Sequence, residues 1–246
     1  MFSSEKDYLK HYNIHDYDVP LVSVDLAVFT LINGKLHILL IERGDFPHKN
    51  RWALPGGFID SKQDKDLTAT ALRKLTEKTG VKAPHLEQVC TVGNNKRDPR
   101  GWSVTALYMA LIPFAPTAEH VASVHDARWW PLEAALKLPL AFDHAELINL
   151  ARERLRVKTG YSLLPVFTIN SPFTLTQLQQ AFEEILGKEL DKKSFRRRIQ
   201  NVELLEEVGE GMAESGRGRS AILYRPIKGS EQHAFVRAFG QTDESI

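Results

Sequence analysis

Residues 22–32 alternate around Val24, Leu26, Val28 and Thr30, and a second apolar run follows over residues 36–41. A period of two predicts strands. Asn33-Gly34 lies between them, and both residues tolerate the positive φ that a type I′ hairpin requires. Further strands are expected at residues 86–92, 102–112 and 127–130. Leu67, Ala71 and Leu75 recur every fourth residue, which predicts a helix over Leu67–Thr79. Other helices are expected to open at Pro131 and to run over residues 142–158, where Thr159-Gly160 stops the second. Residues 1–20 carry aromatic and His side chains without a clear period and read as an extended lead-in. Strands and helices intermixed after an opening hairpin argue for an α+β fold.

Beyond residue 160 the texture changes. In Phe173-Thr174-Leu175-Thr176-Gln177-Leu178, Thr174 can cap the backbone of Gln177 and Gln177 can reach back, while Phe173 packs on Leu178. Gly187 is a natural stop for that helix, and Asp191 is a good cap for the next. The second helix has an apolar face of Phe195, Ile199 and Val202. Two β runs at residues 203–208 and 220–225 are joined by a segment holding Gly209, Gly211, Gly216 and Gly218. Helix, helix and glycine-rich hairpin predict a winged helix-turn-helix over about residues 160–226. Two domains follow, residues 1–157 and 158–246, which suits a chain of 246 residues.

Composition excludes several function classes. Apolar residues make up 43% and charged residues 26%, ordinary values for a globular chain. A net charge of +1 provides no global field toward nucleic acid or membrane. The lone cysteine, Cys90, makes no internal disulfide, and the polar N-terminus and short apolar runs predict neither signal peptide nor membrane span. A cytoplasmic location is the expectation. The charge signal is local: Lys192 to Arg198 holds five basic residues in seven. At ~100° per residue, Lys193, Arg197 and Gln200 oppose Phe195 and Ile199, with Lys192, Ser194 and Arg196 alongside. Such a face suits the major groove of double-stranded DNA, and Arg217 and Arg219 suit a wing against the backbone or minor groove.

The stretch with most chemistry is Leu54-Pro55-Gly56-Gly57-Phe58-Ile59-Asp60, followed by Arg73-Lys74-Leu75-Thr76-Glu77-Lys78-Thr79-Gly80-Val81. It resembles the signature of the Nudix hydrolases, whose glycines admit a diphosphate and whose helix glutamates hold magnesium. Anchored on Gly80, the chain keeps Arg73, Leu75, Glu77 and Val81, and the spacing from Gly57 is two residues longer than the family pattern, with Gln63 or Asp64 near the first glutamate. Two glutamate positions are Lys74 and Lys78, four apart on one helix face. Glu77 is the remaining carboxylate, with Arg73 as an alternative partner. No metal site, catalytic residue or catalytic magnesium is therefore expected. The lysines would instead meet a diphosphate as point charges. Arg97-Asp98-Pro99-Arg100-Gly101-Trp102 offers two guanidiniums beside an indole for phosphate pairing and base stacking. Phe58 closes the Pro-Gly-Gly-Phe run, Arg43 and Arg51 flank the strand before the box, and Asp143 and His144 open the helix at residue 142. Asp143 has a plainer use as that helix's cap.

Taken together, the two halves resemble the Nudix-related transcriptional regulators of NAD metabolism, the NrtR-type repressors. The resemblance spans residues 22–226. It rests on the Leu-Pro-Gly-Gly-Phe box, the Asp-Pro-Arg-Gly turn, Phe142-Asp143-His144, Leu164-Pro165 with Phe167-Thr168, Phe173-Thr174-Leu175, and Asp191 through Arg198. It implies a Nudix-like α/β/α sandwich followed by a winged helix-turn-helix. It further implies a homodimer on a palindromic operator near NAD biosynthesis genes, released by ADP-ribose or a related nucleotide, with no cofactor and no membrane partner. The alternative is an active Nudix pyrophosphatase that hydrolyses ADP-ribose or a related nucleoside diphosphate derivative.

Overall fold

The computed structural model of the chain describes residues 2–80, 83–114, 126–211, 220–230, 233–236 and 238–239. A helix α1 (Glu5–His11) and a 3-10 turn (Ile14–Asp16) precede β1 (Leu21–Ile32), so the lead-in is not wholly extended. Ser4 Oγ caps α1 by accepting from the Asp7 amide, a local signal that the scattered aromatics obscured. α1 buries none of its residues. Its Tyr8 packs instead on flanking rings, 5.3 Å from Phe2 and 5.6 Å from Tyr12.

The Asn33-Gly34 turn has φ of 51° and 72°, as type I′ geometry demands, and leads into β2 (Lys35–Glu42). Two short strands not anticipated from pattern follow, β3 (Trp52–Ala53) and β4 (Gly56–Phe58). Helix α2 (Leu67–Thr79) is capped by Asp66 and ended by Gly80 in the left-handed region. Then come β5 (His85–Asn94), β6 (Ser103–Leu111), β7 (Ala127–Pro131), the single turn α3 (Leu132–Ala135) and α4 (His144–Thr159). α4 begins two residues later than the periodicity predicts, because Phe142 has φ of 53° and turns the chain.

The strands form one mixed sheet in the order β3-β2-β1-β6-β5, with β4 on β1 and β7 on β2. β1 and β6 run parallel at its centre. β1 is apolar on both faces, as a strand covered on both sides must be. Val24, Leu26 and Val28 pack with Ala71 and Leu75 of α2. Ala27, Phe29 and Leu31 pack on the other side with Leu147, Ile148, Ala151 and Leu155 of α4. This is the expected α/β/α sandwich.

A second sheet lies in the C-terminal unit, where β8 (Phe173–Thr174), α5 (Leu175–Leu186), α6 (Lys192–Gln200), β9 (Leu205–Gly211) and β10 (Ala221–Pro226) follow in order. The strands pair as β8-β10-β9. Thr174 and Gln177 make the reciprocal capping box, and Gly187 ends α5 with φ of 68°. α5 serves two cores. Leu178 and Phe182 pack within the winged helix, whereas Ala181 and Ile185 join the sandwich core. Glu184, on the same helix, accepts from the Leu36 amide and from Lys35 Nζ, each at 3.0 Å. No helix among the described residues is long and apolar enough to cross a membrane.

Candidate functional site

A cavity of about 470 Å³ opens between the glycine loop, α2 and the start of α4. β4 creates its floor by pairing with β1, with Gly56 opposite Asp25 and Gly57 opposite Val24. A Cβ on Gly56 would lie 2.4 Å from the Val24 carbonyl oxygen, so only glycine permits this approach. Gly57 has φ of 149°, and a Cβ there would press on the Lys74 side chain at 3.1 Å. The Gly-Gly pair thus lets Lys74 lie along the loop.

Lys74, Lys78, Arg43 and Arg100 all line the cavity. Burial lowers the proton affinity of Lys78, and the neighbouring Lys74 lowers it further. Arg43 is lowered by burial and then by Arg100. These cations crowd one another, and an anion placed among them would relieve the repulsion. Arg43 is held by its Nε–H to the Pro47 carbonyl at 2.9 Å and stacks over Phe142 at 4.8 Å. Arg100 lies 5.0 Å from the centre of the Phe58 ring and pairs with Asp98 at 2.7 Å.

Arg97 behaves differently from Arg100, although both belong to one turn. Its guanidinium donates to Asp143 Oδ2 and Oδ1 at 2.9 and 3.0 Å, and to Asp25 Oδ2 at 3.3 Å. Its side chain is 5% exposed. It reaches the cavity wall as a strut that ties β1 to the start of α4. Asp143 does stand at the helix start, yet its carboxylate makes no capping bond and serves Arg97. His144 is buried, and its Nδ1 accepts the Leu54 amide at 2.8 Å. Burial lowers its proton affinity against the pull of Asp25 and Asp143, which suits a neutral ring.

The remaining carboxylates of the box are already engaged. Asp64 takes the Arg73 guanidinium at 2.5 and 2.7 Å and also accepts from Thr70. Arg73 Nη1 donates to both oxygens of Glu77, at 3.0 and 3.1 Å, and Lys74 Nζ donates to it at 3.3 Å. Burial raises the Glu77 carboxyl, but those bonds outweigh it and leave it below its ordinary value.

On the second unit, α6 buries Phe195 and Ile199 and exposes Lys192, Lys193, Ser194, Arg197 and Gln200. Arg196 is half-buried and donates from Nη2 to Thr176 Oγ1 at 3.3 Å. Arg198 faces inward over the rings of Phe235 and Phe239, at 5.0 and 4.0 Å. The wing strands are acidic at their base, where Glu206 pairs with Arg225 and Glu207 accepts from the Tyr224 hydroxyl. Arg217 and Arg219 lie outside the described residues.

Comparison with known proteins places both units. Residues 23–151 match the NUDIX domain, and residues 165–225 match the NrtR DNA-binding winged helix domain. The ADPR-responsive transcriptional repressor NtrR of Acinetobacter baylyi is 50% identical over 224 residues, covering 91% of this chain and 89% of that protein. The chain belongs to the NrtR family. The NrtR of Shewanella oneidensis complexed with a 27mer DNA is similar throughout, at 46% identity and a TM-score of 0.82, covering 89% of this chain and 99% of that one. The Nudix domain of the same NrtR complexed with ADP ribose covers 62% of this chain and 99% of its own, at 49% identity and a TM-score of 0.60.

In this NrtR chain the structure gathers Arg43, Gly56, Gly57, Phe58, Lys74, Lys78, Arg97, Arg100 and His144 around one cavity. Arg51 is not brought there: its carbonyl accepts the Arg43 amide while the residue stays exposed. Glu77 and Asp143 stand behind the lining, each held by arginine. Asp25, Asp98 and Phe46, absent from the sequence expectation, also line it. The magnesium of the Nudix hydrolases is a poor fit to these residues. Glu77 is engaged by two cations, ammonium groups stand at two box positions, and among the described residues no three His, Cys, Asp or Glu side chains cluster to hold a metal.

Proposed function

We propose that the protein is a transcriptional repressor of NAD metabolism genes that binds operator DNA as a homodimer and is released by ADP-ribose or a related nucleotide. The observation that carries this reading is the placement of Lys74 and Lys78 beside Arg43 and Arg100 around one cavity. Four cations among two phosphoryl groups bind a diphosphate without magnesium, and the box carboxylates Asp64 and Glu77, which would hold that metal, are committed to Arg73. The protein therefore holds the nucleotide and does not hydrolyse it. The relatives support the same division: the NrtR of Shewanella oneidensis forms a complex with a 27mer DNA, and its Nudix domain one with ADP ribose.

Residues 1–157 act as the effector unit and residues 158–246 as the reading unit. On the second, Lys192, Lys193, Ser194, Arg196, Arg197 and Gln200 enter the major groove, while Arg217 and Arg219 meet the backbone. One α6 helix offers too few base contacts for a specific affinity of about 10⁻⁸–10⁻¹¹ M, so two copies engage a palindrome with half-sites about one helical turn apart. A gel shift on the promoter of an NAD-related gene, with and without ADP-ribose, tests this. Retarded DNA released by ADP-ribose supports it, and magnesium-dependent AMP production at about 1–10³ per second overturns it.

A further inference from the structure

We propose that the described part of the C-terminal segment, residues 233–236 and 238–239, is a strap carrying the state of the effector cavity to the reading helix, with Phe239 as its positioning residue. The inference rests on the reading above, in which the cavity takes the nucleotide and α6 the operator.

The path begins at the cavity. Phe142 and His144 line it, and Asp143 between them is fixed by Arg97. A ligand that shifts these residues shifts the first turn of α4. That helix runs 16 residues, about 24 Å at 1.5 Å each, with Leu147, Ile148, Ala151 and Leu155 locked in the core. Packed along its length, it would pass a displacement on as a rod rather than bend.

At its far end the tail takes hold. Gly160, which closes α4, accepts from the Phe239 amide at 2.5 Å, and Tyr161 accepts from the Phe235 amide at 2.6 Å. Ser162 and Ala234 add a β-bridge. The same two aromatic residues then reach the inner side of α6. Phe239 lies 5.7 Å from Phe195 and 4.7 Å from Phe182, with the Arg198 guanidinium 4.0 Å over its ring. Phe195 and Arg198 belong to the helix whose outer face carries Lys193 and Arg197. Arg198 is thus withheld from DNA and used to seat the helix.

The tail lies beyond residue 225, where the match to the winged helix domain ends. Backbone bonds to α4 and ring contacts to α6 make it a physical link between two elements that the effector and the operator each engage. A linkage of this kind lets one ligand bias the placement of the other's helix.

The test uses the full chain and its Phe239→Ala and Phe239→Leu variants. Operator affinity is measured by fluorescence anisotropy with and without saturating ADP-ribose, and ADP-ribose affinity by calorimetry. Wild type should lose operator affinity by about 5–150-fold on adding ADP-ribose, whereas Phe239→Ala should respond by less than about twofold and Phe239→Leu should restore much of the response. ADP-ribose affinity should stay the same in both variants. A wild type indifferent to ADP-ribose sinks the repressor reading itself. A responsive wild type with an equally responsive Phe239→Ala sinks the strap alone. Should Phe239→Ala fail to fold, hydrogen exchange in wild type decides: ADP-ribose should change protection of the Phe235 and Phe239 amides, and unchanged protection overturns the strap.

Discussion

Arg97 and Arg100 stand three residues apart in one turn, and replacing each by alanine should have opposite consequences. Arg97 is 5% exposed and faces Asp25 and Asp143, whose side chains are 10% and 13% exposed. Removing the guanidinium leaves two carboxylates short of water and without their cation. Breaking a buried pair by deleting one partner costs about 3–5 kcal/mol. For a chain of this size, each kcal/mol moves the melting temperature by about 2–4 °C, so Arg97→Ala should melt about 6–20 °C lower. Arg100 is 42% exposed, and its ion pair is with Asp98, two residues away. Its loss should cost only about 0.2–1 kcal/mol, within the range of exposed pairs.

Urea denaturation and calorimetry with ADP-ribose separate the two roles. Arg100→Ala should hold its stability and lose nucleotide affinity. In the Arg97→Ala background, Asp143→Asn removes one stranded charge and should recover part of the stability, giving a coupling of about 0.5–3 kcal/mol. An Arg97→Ala protein within about 1 kcal/mol of wild type would refute the strut and return Arg97 to the phosphate site.

Three further outcomes follow. Burial raises the Glu87 carboxyl, but His85 and Lys158 overcome it and hold it at about 2 against the usual 4.5. Because its folded value is depressed, its contribution of ~3 kcal/mol is complete above pH 4.5 and is lost as pH falls toward 2; a Glu87→Gln melt series should lack that acid-side slope. Lys74→Glu with Lys78→Glu places two carboxylates beside the diphosphate position and should weaken magnesium-free ADP-ribose binding by more than about tenfold, read by calorimetry; unchanged affinity would separate the lysines from the ligand. Arg197→Ala should cost about 1–3 kcal/mol of operator affinity if it reads a base, or lower the salt slope by about one if it meets phosphate; footprint affinities unaffected by salt or substitution would make α6 a merely solvated face.

What the sequence made legible was local. The hairpin at Asn33-Gly34, helix α2, the Thr174–Gln177 capping box and the Phe195–Ile199 stripe each depend on residues within a turn or two, and each stands where the pattern predicts. The cavity is only half legible by the same standard. Its loop and lysines are contiguous motifs, but its floor exists because β4 folds back onto β1, and the fate of Arg97 is set by Asp25, 72 positions earlier, and Asp143, 46 later. Two guanidiniums in one turn look alike until those distant carboxylates are in place. The tail is the extreme case. Phe235 and Phe239 have no period to join and no helix of their own, and their partners Gly160, Phe195 and Arg198 come from elements much earlier in the chain. Periodicity finds residues that pack within an element. A segment that works by joining two elements leaves no such mark, and here it joins the helix that starts at the cavity to the one that carries the basic face.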